Sequence, residues 1–315
     1  MSQPDNFKEA SITPNHAGEQ ELFRYQFKAM ASPCELVVDA ISEEQAMAMF
    51  GEAISEVQRI EAKFSRYLAD SVVSRVNASA GEAWIEHDEE TGQLLDYANA
   101  LFEMSDGLFD ITSGVLRRAW NFKEPKLPAQ SLLDSLLNLV GWDKVVRKQS
   151  AIKLPLAGME IDFGGFGKEY ATDRAAVLLA NHGVKHGYVN LGGDLRVIGP
   201  KLDGQPWQMG IPDPRKNGML IASIPIISGA LATSGDYEKY FDLNGKRYCH
   251  IISPKTGMPV NYWQSVSILA PLTVAAGSFS TIAMLKQEEG LDWLRESGAN
   301  YLAIDQTGAV KRMNE

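Results

Sequence analysis

Residues 159–175 of the chain read MEIDFGGFGKEYATDRA. An apolar run ends in Gly164, Gly165 and Gly167, and a helix-forming segment begins at once. Free backbone N–H groups and the positive end of the helix dipole would meet there, beside the cation of Lys168, which is a physical recipe for holding phosphate. The same glycines equally suit a tight strand-to-helix turn. The stretch is not a Walker loop, because GxxxxGK followed by Ser or Thr is absent, nor a dinucleotide fingerprint, because GxGxxG is absent.

Other stretches also carry chemistry-bearing side chains. LATSGDYEKYFDLNGKRYCHIISPKTGMPV (231–260) gathers Thr, Ser and Asp around His250, one of five histidines, between two expected turns, LNGK and SPKTG. A lone histidine on such a strand is more often structural than catalytic, so spacing alone does not promote it. In SDGLFDITSGVLRRAWNF, Leu108 and Phe109 meet Asp110 and Thr112 after a helix stop, a loop suited to line a flat ring system or to plug a core. VNLGGDLRV bends at Gly192 and Gly193 with Asp194 at the turn, as a hairpin does. TVAAGSFST (273–281) sets hydroxyls and Gly277 between two apolar runs, where small residues serve close helix packing or offer oxygens to a ligand or metal.

The elements that must position these groups follow from periodicity. CELVVDA (34–40) is expected to be a strand. Ser42 and Gln45 form a capping box for a long helix with Phe50, Ile54, Val57, Ile60 and Phe64 on one face. A second helix is expected in GQLLDYANALFEMSDG, and a third in LPAQSLLDSLLNLVG with Pro128 in its first turn and Gly141 at its end. KVVRKQ and MEIDF are expected as short β runs. Ala171, Ala175, Leu178 and Leu179 form the stripe of a helix closed by Gly183. GYVNLGG, LRVIG and RYCHII are expected strands. The fold class is α+β, with mixed α/β layers, and no strong linker divides it. Residues 1–20 are polar and are expected to be disordered, leaving residues 21–315 as one domain, with two lobes as a possible subdivision.

At 315 residues with 45% hydrophobic and 22% charged residues, the composition is that of a globular protein. A net charge of -10 provides no global basic field for nucleic acid or anionic lipid. No stretch approaches the 18 or so apolar residues of a membrane helix, and MSQPDNFKEASITPNHAGEQ has neither the basic start nor the apolar run of a signal peptide. Cys34 and Cys249 lie far apart without metal-ligand spacing, which suits a reducing compartment, so the expected location is cytoplasmic.

Together the motifs resemble the ApbE family of FAD:protein FMN transferases. MASPCEL is similar to that family's MGTxxxI element, FSRYLADSVVSRVNA to FSxYxxxSExSxxN, and DGLFDIT to GAFDPT. MEIDFGGFGKEYATDRA, VNLGGDLRVIG, LATSGDYEKYF, HIISPKTG and SVSILAP then follow in the family's order. The resemblance implies an ApbE-like fold of mixed sheets flanked by helices. It also implies an enzyme that splits the FAD pyrophosphate, releases AMP and joins FMN to a Thr or Ser hydroxyl of an acceptor flavoprotein, with Mg2+.

Carried over by position, Met30, Tyr67, Leu108, Phe109, Asp110, Asp162, Lys168 and Ile252 are implied to contact the flavin nucleotide. Gly165, through its carbonyl, and Thr281, through its hydroxyl, are implied to hold the metal. His250 or Asp236 is the candidate general base. Two positions depart from the family: Gly277 stands where ADALAT has Asp, and Ser253 where HIIDP has Asp. Magnesium prefers hard, charged oxygens, so weaker metal binding is expected. A flavin-binding relative that has lost transfer is the alternative reading.

Overall fold

The structure, a computed structural model, describes residues 20–313. All of the expected mobile segment except Gln20 lies outside the described residues. In chain order the elements are β1 (Glu21–Ala29), β2 (Ser32–Ala40), α1 (Glu43–Phe64), α2 (Val72–Ala78), β3 (Ile85–Glu86), α3 (Glu89–Met104), α4 (Gln130–Leu137), β4 (Val146–Lys148) and β5 (Ala151–Lys153). Next come α5 (Gly167–Asn181), β6 (Gly187–Leu191), β7 (Asp194–Gly199), β8 (Trp207–Pro212), β9 (Leu220–Ile226), β10 (Gly229–Gly235), β11 (Tyr240–Leu243) and β12 (Lys246–Cys249). The chain closes with β13 (Trp263–Ala270), α6 (Thr273–Lys286), α7 (Gly290–Glu296), β14 (Asn300–Asp305) and β15 (Val310–Arg312).

The interleaved helices and strands agree with the expected α+β class. The large sheet has the order β1-β2-β6-β7-β10-β13-β14-β15. In it β1 with β2, β2 with β6, β6 with β7 and β7 with β10 pair antiparallel. The β2 run from Leu36 to Ala40 is buried at every residue, as a strand covered on both faces must be, whereas edge strand β1 alternates in exposure. Ahead of α1, the Ser42 Oγ accepts from the Gln45 N–H at 3.2 Å, and Gln45 Oε1 accepts from the Ile41 N–H at 3.0 Å. The expected capping box therefore closes one residue earlier than its usual return bond.

Several expected elements differ. The third helix is short, because Pro128 and Ala129 precede it and Gly141, at φ 146, heads a separate 3-10 turn over Trp142–Lys144. MEIDF has strand-like composition but joins no ladder. Its Ile161 backbone is bonded at both groups by the Asn77 amide (2.7 and 3.0 Å), and the Asp162 N–H donates to the Ile111 carbonyl. A side chain thus replaces the neighbouring strand. His250 lies just past β12 rather than on it.

The described chain falls into two compact units. The first contains the residues up to 61 together with 166–233 and 267–277, and the second contains 62–165, 234–266 and 278 onward. In the first, α5 packs on β6 and β7. In the second, Val115, Leu116, Leu136 and Val140 form a core cluster with Ile252 against it, and Trp120, Phe241 and Tyr248 form an aromatic one.

Candidate functional site

Within the first unit, the β1–β2 turn consists of Met30 and Ala31, both left-handed at φ 50 and 58. Ala29 pairs with Ser32, so this is a two-residue hairpin turn that ordinarily recruits Asn-Gly. A positive φ costs roughly 1–2 kcal/mol for a residue with a side chain. The Met30 N–H donates to Glu61 Oε1 at 3.0 Å, which helps to hold the turn and places the Met30 side chain at its tip. Such strain persists only where the surrounding structure holds it, as the Glu61 bond does here.

The glycine-led helix α5 begins beside the Gly192–Gly193 turn between β6 and β7. Lys168 Nζ is ion-paired with Asp194 and donates to the Leu191 carbonyl at 3.1 Å. Lys168 is therefore a clamped cation rather than a mobile one. Asp194, expected as a turn residue, is the first residue of β7 and anchors it. A Cβ on Gly192 would fall 2.7 Å from Ser32 Cβ, so the turn needs glycine for close approach as well as for its φ of 60.

Two further acidic residues of α5 are buried. Asp173 accepts from the Thr273 and Val274 N–H groups, both at 2.9 Å, and so caps α6. One turn earlier, Glu169 lies against Gly277 of α6: a Cβ there would stand 2.7 Å from Glu169 Oε1. Burial raises the Glu169 pKa above the ordinary carboxylate value, while Lys168 acts in the opposite direction.

Within the second unit, Asp162 is ion-paired with Arg66 and accepts from the Gly164 N–H at 2.9 Å. The Arg66 guanidinium lies 4.9 Å from the Tyr67 ring centroid and donates to Tyr67 Oη at 2.7 Å. Tyr67 is 79% exposed, a flat aromatic face held open by a cation. A Cβ on Gly114 would approach Asp162 Cβ to 2.7 Å, so Gly114 gives this carboxylate its room.

The 108–110 loop is built mostly inward. Asp110 accepts from the Thr112 N–H (2.7 Å) and hydroxyl (2.6 Å) with one oxygen and from the Trp142 N–H (3.0 Å) with the other. Burial raises its pKa against those bonds. It shapes the loop, and Leu108 is the half-exposed member. Phe109 is buried with its ring tip 2.8 Å from where a Gly165 Cβ would stand. Gly165→Ala is expected to displace that ring and cost about 2 kcal/mol by overpacking, measurable as a lowered Tm.

His250 is exposed, while Asp236 is 1% exposed. Asp236 accepts from Gln306 Nε2 at 3.1 Å and lies 3.8 Å from Arg247 Nη1. Ile252 is bridged to Pro259, and Ser253 is buried with its N–H donating to Met258 O at 2.9 Å. Along α6, Ser278 Oγ accepts from Tyr97 Oη at 3.0 Å, Ser280 is bonded to Ser234 at 2.7 Å, and Thr281 to the same Ser234 at 3.0 Å. Ser278 and Ser280 are fully buried, so packing accounts for them, and Thr281 is the half-buried hydroxyl.

The structure thus brings Asp162 to Tyr67 through Arg66, Phe109 to Gly165, and Lys168 to Asp194. The sequence reading gave no role to Arg66, Glu169 or Asp173. The signal for the last two was available: Glu169, Thr172 and Asp173 fall at i, i+3 and i+4, a second stripe on α5 that is as buried as the apolar one.

The ApbE family model matches residues 30–304. The FAD:protein FMN transferase of Haemophilus influenzae is 31% identical over 259 residues, covering 78% of this chain and 75% of its own. A crystal structure of the ApbE protein of Thermotoga maritima superposes with a TM-score of 0.83 at 33% identity, covering 93% of this chain and 97% of its own. The apo flavinyl transferase ApbE of Pseudomonas stutzeri shares the fold, with a TM-score of 0.84 at 24% identity over 94% of this chain and 95% of its own. With the motifs in order, the fold matched over nearly its whole length and the family model spanning both units, this chain belongs to the ApbE family.

Proposed function

We propose that the protein is an FAD:protein FMN transferase acting on a Thr or Ser hydroxyl of an acceptor flavoprotein. Its main support is the family match across residues 30–304, with relatives of that name aligned over about three quarters of the chain. In the reaction the acceptor oxygen attacks the FMN-side phosphorus of the FAD pyrophosphate. The P–O bond to the AMP phosphate breaks, AMP leaves with the bridging oxygen, and the acceptor hydroxyl proton passes to a base.

Each residue has a role in this reading. Tyr67, Met30, Leu108 and Ile252 offer apolar or aromatic surface to the flavin, Phe109 and Asp110 shape its loop, and Asp162 and Lys168 fix polar parts of the nucleotide. Of the two base candidates, exposed His250 takes the proton. Asp236, buried and engaged by Gln306 and Arg247, holds those groups in place. Neutral imidazole is available because partial desolvation of a ring that still reaches solvent, reinforced by the Lys239 ammonium, lowers its pKa.

Magnesium belongs to the same reading, and bound there it offsets negative charge on the pyrophosphate. The Gly165 carbonyl and Thr281 hydroxyl are its proposed donors, and Gly277 has no side chain to give. Among the described residues no group of three or more His, Cys, Asp or Glu side chains is placed to hold a metal. That donor set fits magnesium, which takes few carboxylates and completes its shell with substrate phosphates and water. Within the first unit, Glu169 carries a buried oxygen with no hydrogen-bond partner among the described residues.

No helix among the described residues is long and apolar enough to cross a membrane. Cys34 and Cys249 are free and buried, in keeping with the cytoplasmic setting of this reading.

The test incubates the protein with FAD, Mg2+ and an acceptor domain carrying a flavinylation threonine, then measures AMP and in-gel flavin fluorescence. Equal yields of AMP and labelled acceptor are expected. AMP alone would make the protein a hydrolase, and FAD binding with neither product would favour the flavin-binding alternative.

A further inference from the structure

Resting on the transferase reading, we propose that Glu169 supplies the carboxylate oxygen through which this chain binds its divalent cation, and that the bare backbone at Gly277 makes room for it. The carboxylate expected on α6 is delivered instead from α5. Three observations within the first unit carry this assignment.

A Cβ on Gly277 would stand 2.6 Å from Glu169 Cγ, 2.7 Å from Oε1 and 3.0 Å from Cδ. The glutamate carboxyl group therefore fills the volume that a side chain at 277 would occupy. Glu169 is 8% exposed, and its Oε2 is buried with no hydrogen-bond partner among the described residues. Leaving a carboxylate oxygen dry and unpaired is costly, and a hard cation is the ligand that relieves that cost.

The register is also set independently of Glu169. Asp173, one turn further along α5, accepts from the first N–H groups of α6 at Thr273 and Val274. One turn back along α5 and one turn forward along α6 bring Glu169 opposite Gly277, so the placement is anchored by two charge-assisted hydrogen bonds.

The experiment titrates Mn2+ by electron paramagnetic resonance in the presence of ADP, and monitors thermal unfolding, for wild type, Glu169→Gln, Gly277→Asp and the exchange Glu169→Gly with Gly277→Asp. Glu169→Gln should weaken Mn2+ binding by more than the roughly tenfold typical of losing an outer-shell partner. Its metal-free Tm should not fall, since a neutral amide replaces a buried charge in the same shape. Gly277→Asp should lower the Tm, because two carboxylates then claim one space. The exchange should recover both the Tm and Mn2+ affinity to within about threefold of wild type, since one carboxylate is again present.

Unchanged Mn2+ affinity in Glu169→Gln overturns the assignment, as does Gly277→Asp with wild-type stability and tighter metal binding. If affinity is unchanged while FAD still yields AMP and labelled acceptor, Glu169 is not the ligand and the transferase reading stands. If affinity falls as expected but wild type yields neither product, the ligand role stands and the transferase reading falls.

Discussion

Replacing His250 by asparagine is expected to slow flavin transfer about 10²–10⁴-fold while leaving FAD affinity within a fewfold of wild type. That range is what a positioned general base contributes, about 3–5 kcal/mol of barrier. Asparagine keeps polarity and approximate size but cannot take up the hydroxyl proton. Single-turnover labelling of the acceptor measures the rate, and quenching of flavin fluorescence measures binding. The pH profile supplies a second readout. Desolvation and then the Lys239 ammonium hold the His250 pKa below the ordinary histidine value of about 6.5. A lowered pKa keeps the imidazole neutral to more acid conditions, so the acid limb of kcat/KM should lie below pH 6.5, with the rate falling as pH drops through it. The asparagine variant should lose that limb. A variant with unchanged rate and profile would remove His250 from the chemistry and return the base role to another group.

Replacing Asp173 by alanine is expected to destabilise the protein by about 3–4 kcal/mol. One carboxylate, 8% exposed, accepts from two backbone N–H groups at 2.9 Å each at the start of α6. Truncation removes this helix cap and leaves its two donors with only partial access to water, at about 2 kcal/mol each within a usual range of about 1–3. Asparagine should recover part of the loss, because its carbonyl oxygen still accepts while its amide nitrogen does not. Urea unfolding with an unchanged slope measures the difference. A loss below about 1 kcal/mol would mean that water replaces the carboxylate at this cap. Because the same bonds set the register of α5 on α6, the alanine variant should also weaken divalent-cation binding.

Much of the fold could be read along the chain because local rules dominate there. The α1 stripe, the Ser42–Gln45 cap and the buried run of β2 are short-range patterns, and the structure repeats them. The structure departs from those local rules where a remote group overrides composition. MEIDF reads as a strand, but Asn77 satisfies its backbone in place of a neighbouring strand. The third helix ended early because Gly141 is needed at φ 146 for the turn beneath Asp110, whose oxygen receives the Trp142 N–H.

At the site, the sequence by itself determined the residue types and their order: the glycines before α5, Lys168, the FSRY segment, the DGLFDIT loop, His250 and Thr281. These define the family because identity and spacing are local properties of the chain. Only the tertiary structure decided which of them are free to act. Lys168 is clamped by Asp194, Asp110 spends both oxygens on its own loop, and Ser278 and Ser280 are committed to Tyr97 and Ser234. It also showed that Glu169, more than a hundred residues earlier, occupies the space a side chain at Gly277 would take. The physical reason is that burial and pairing depend on neighbours distant in the chain, so two residues that look unrelated in one dimension share one space where two helices meet.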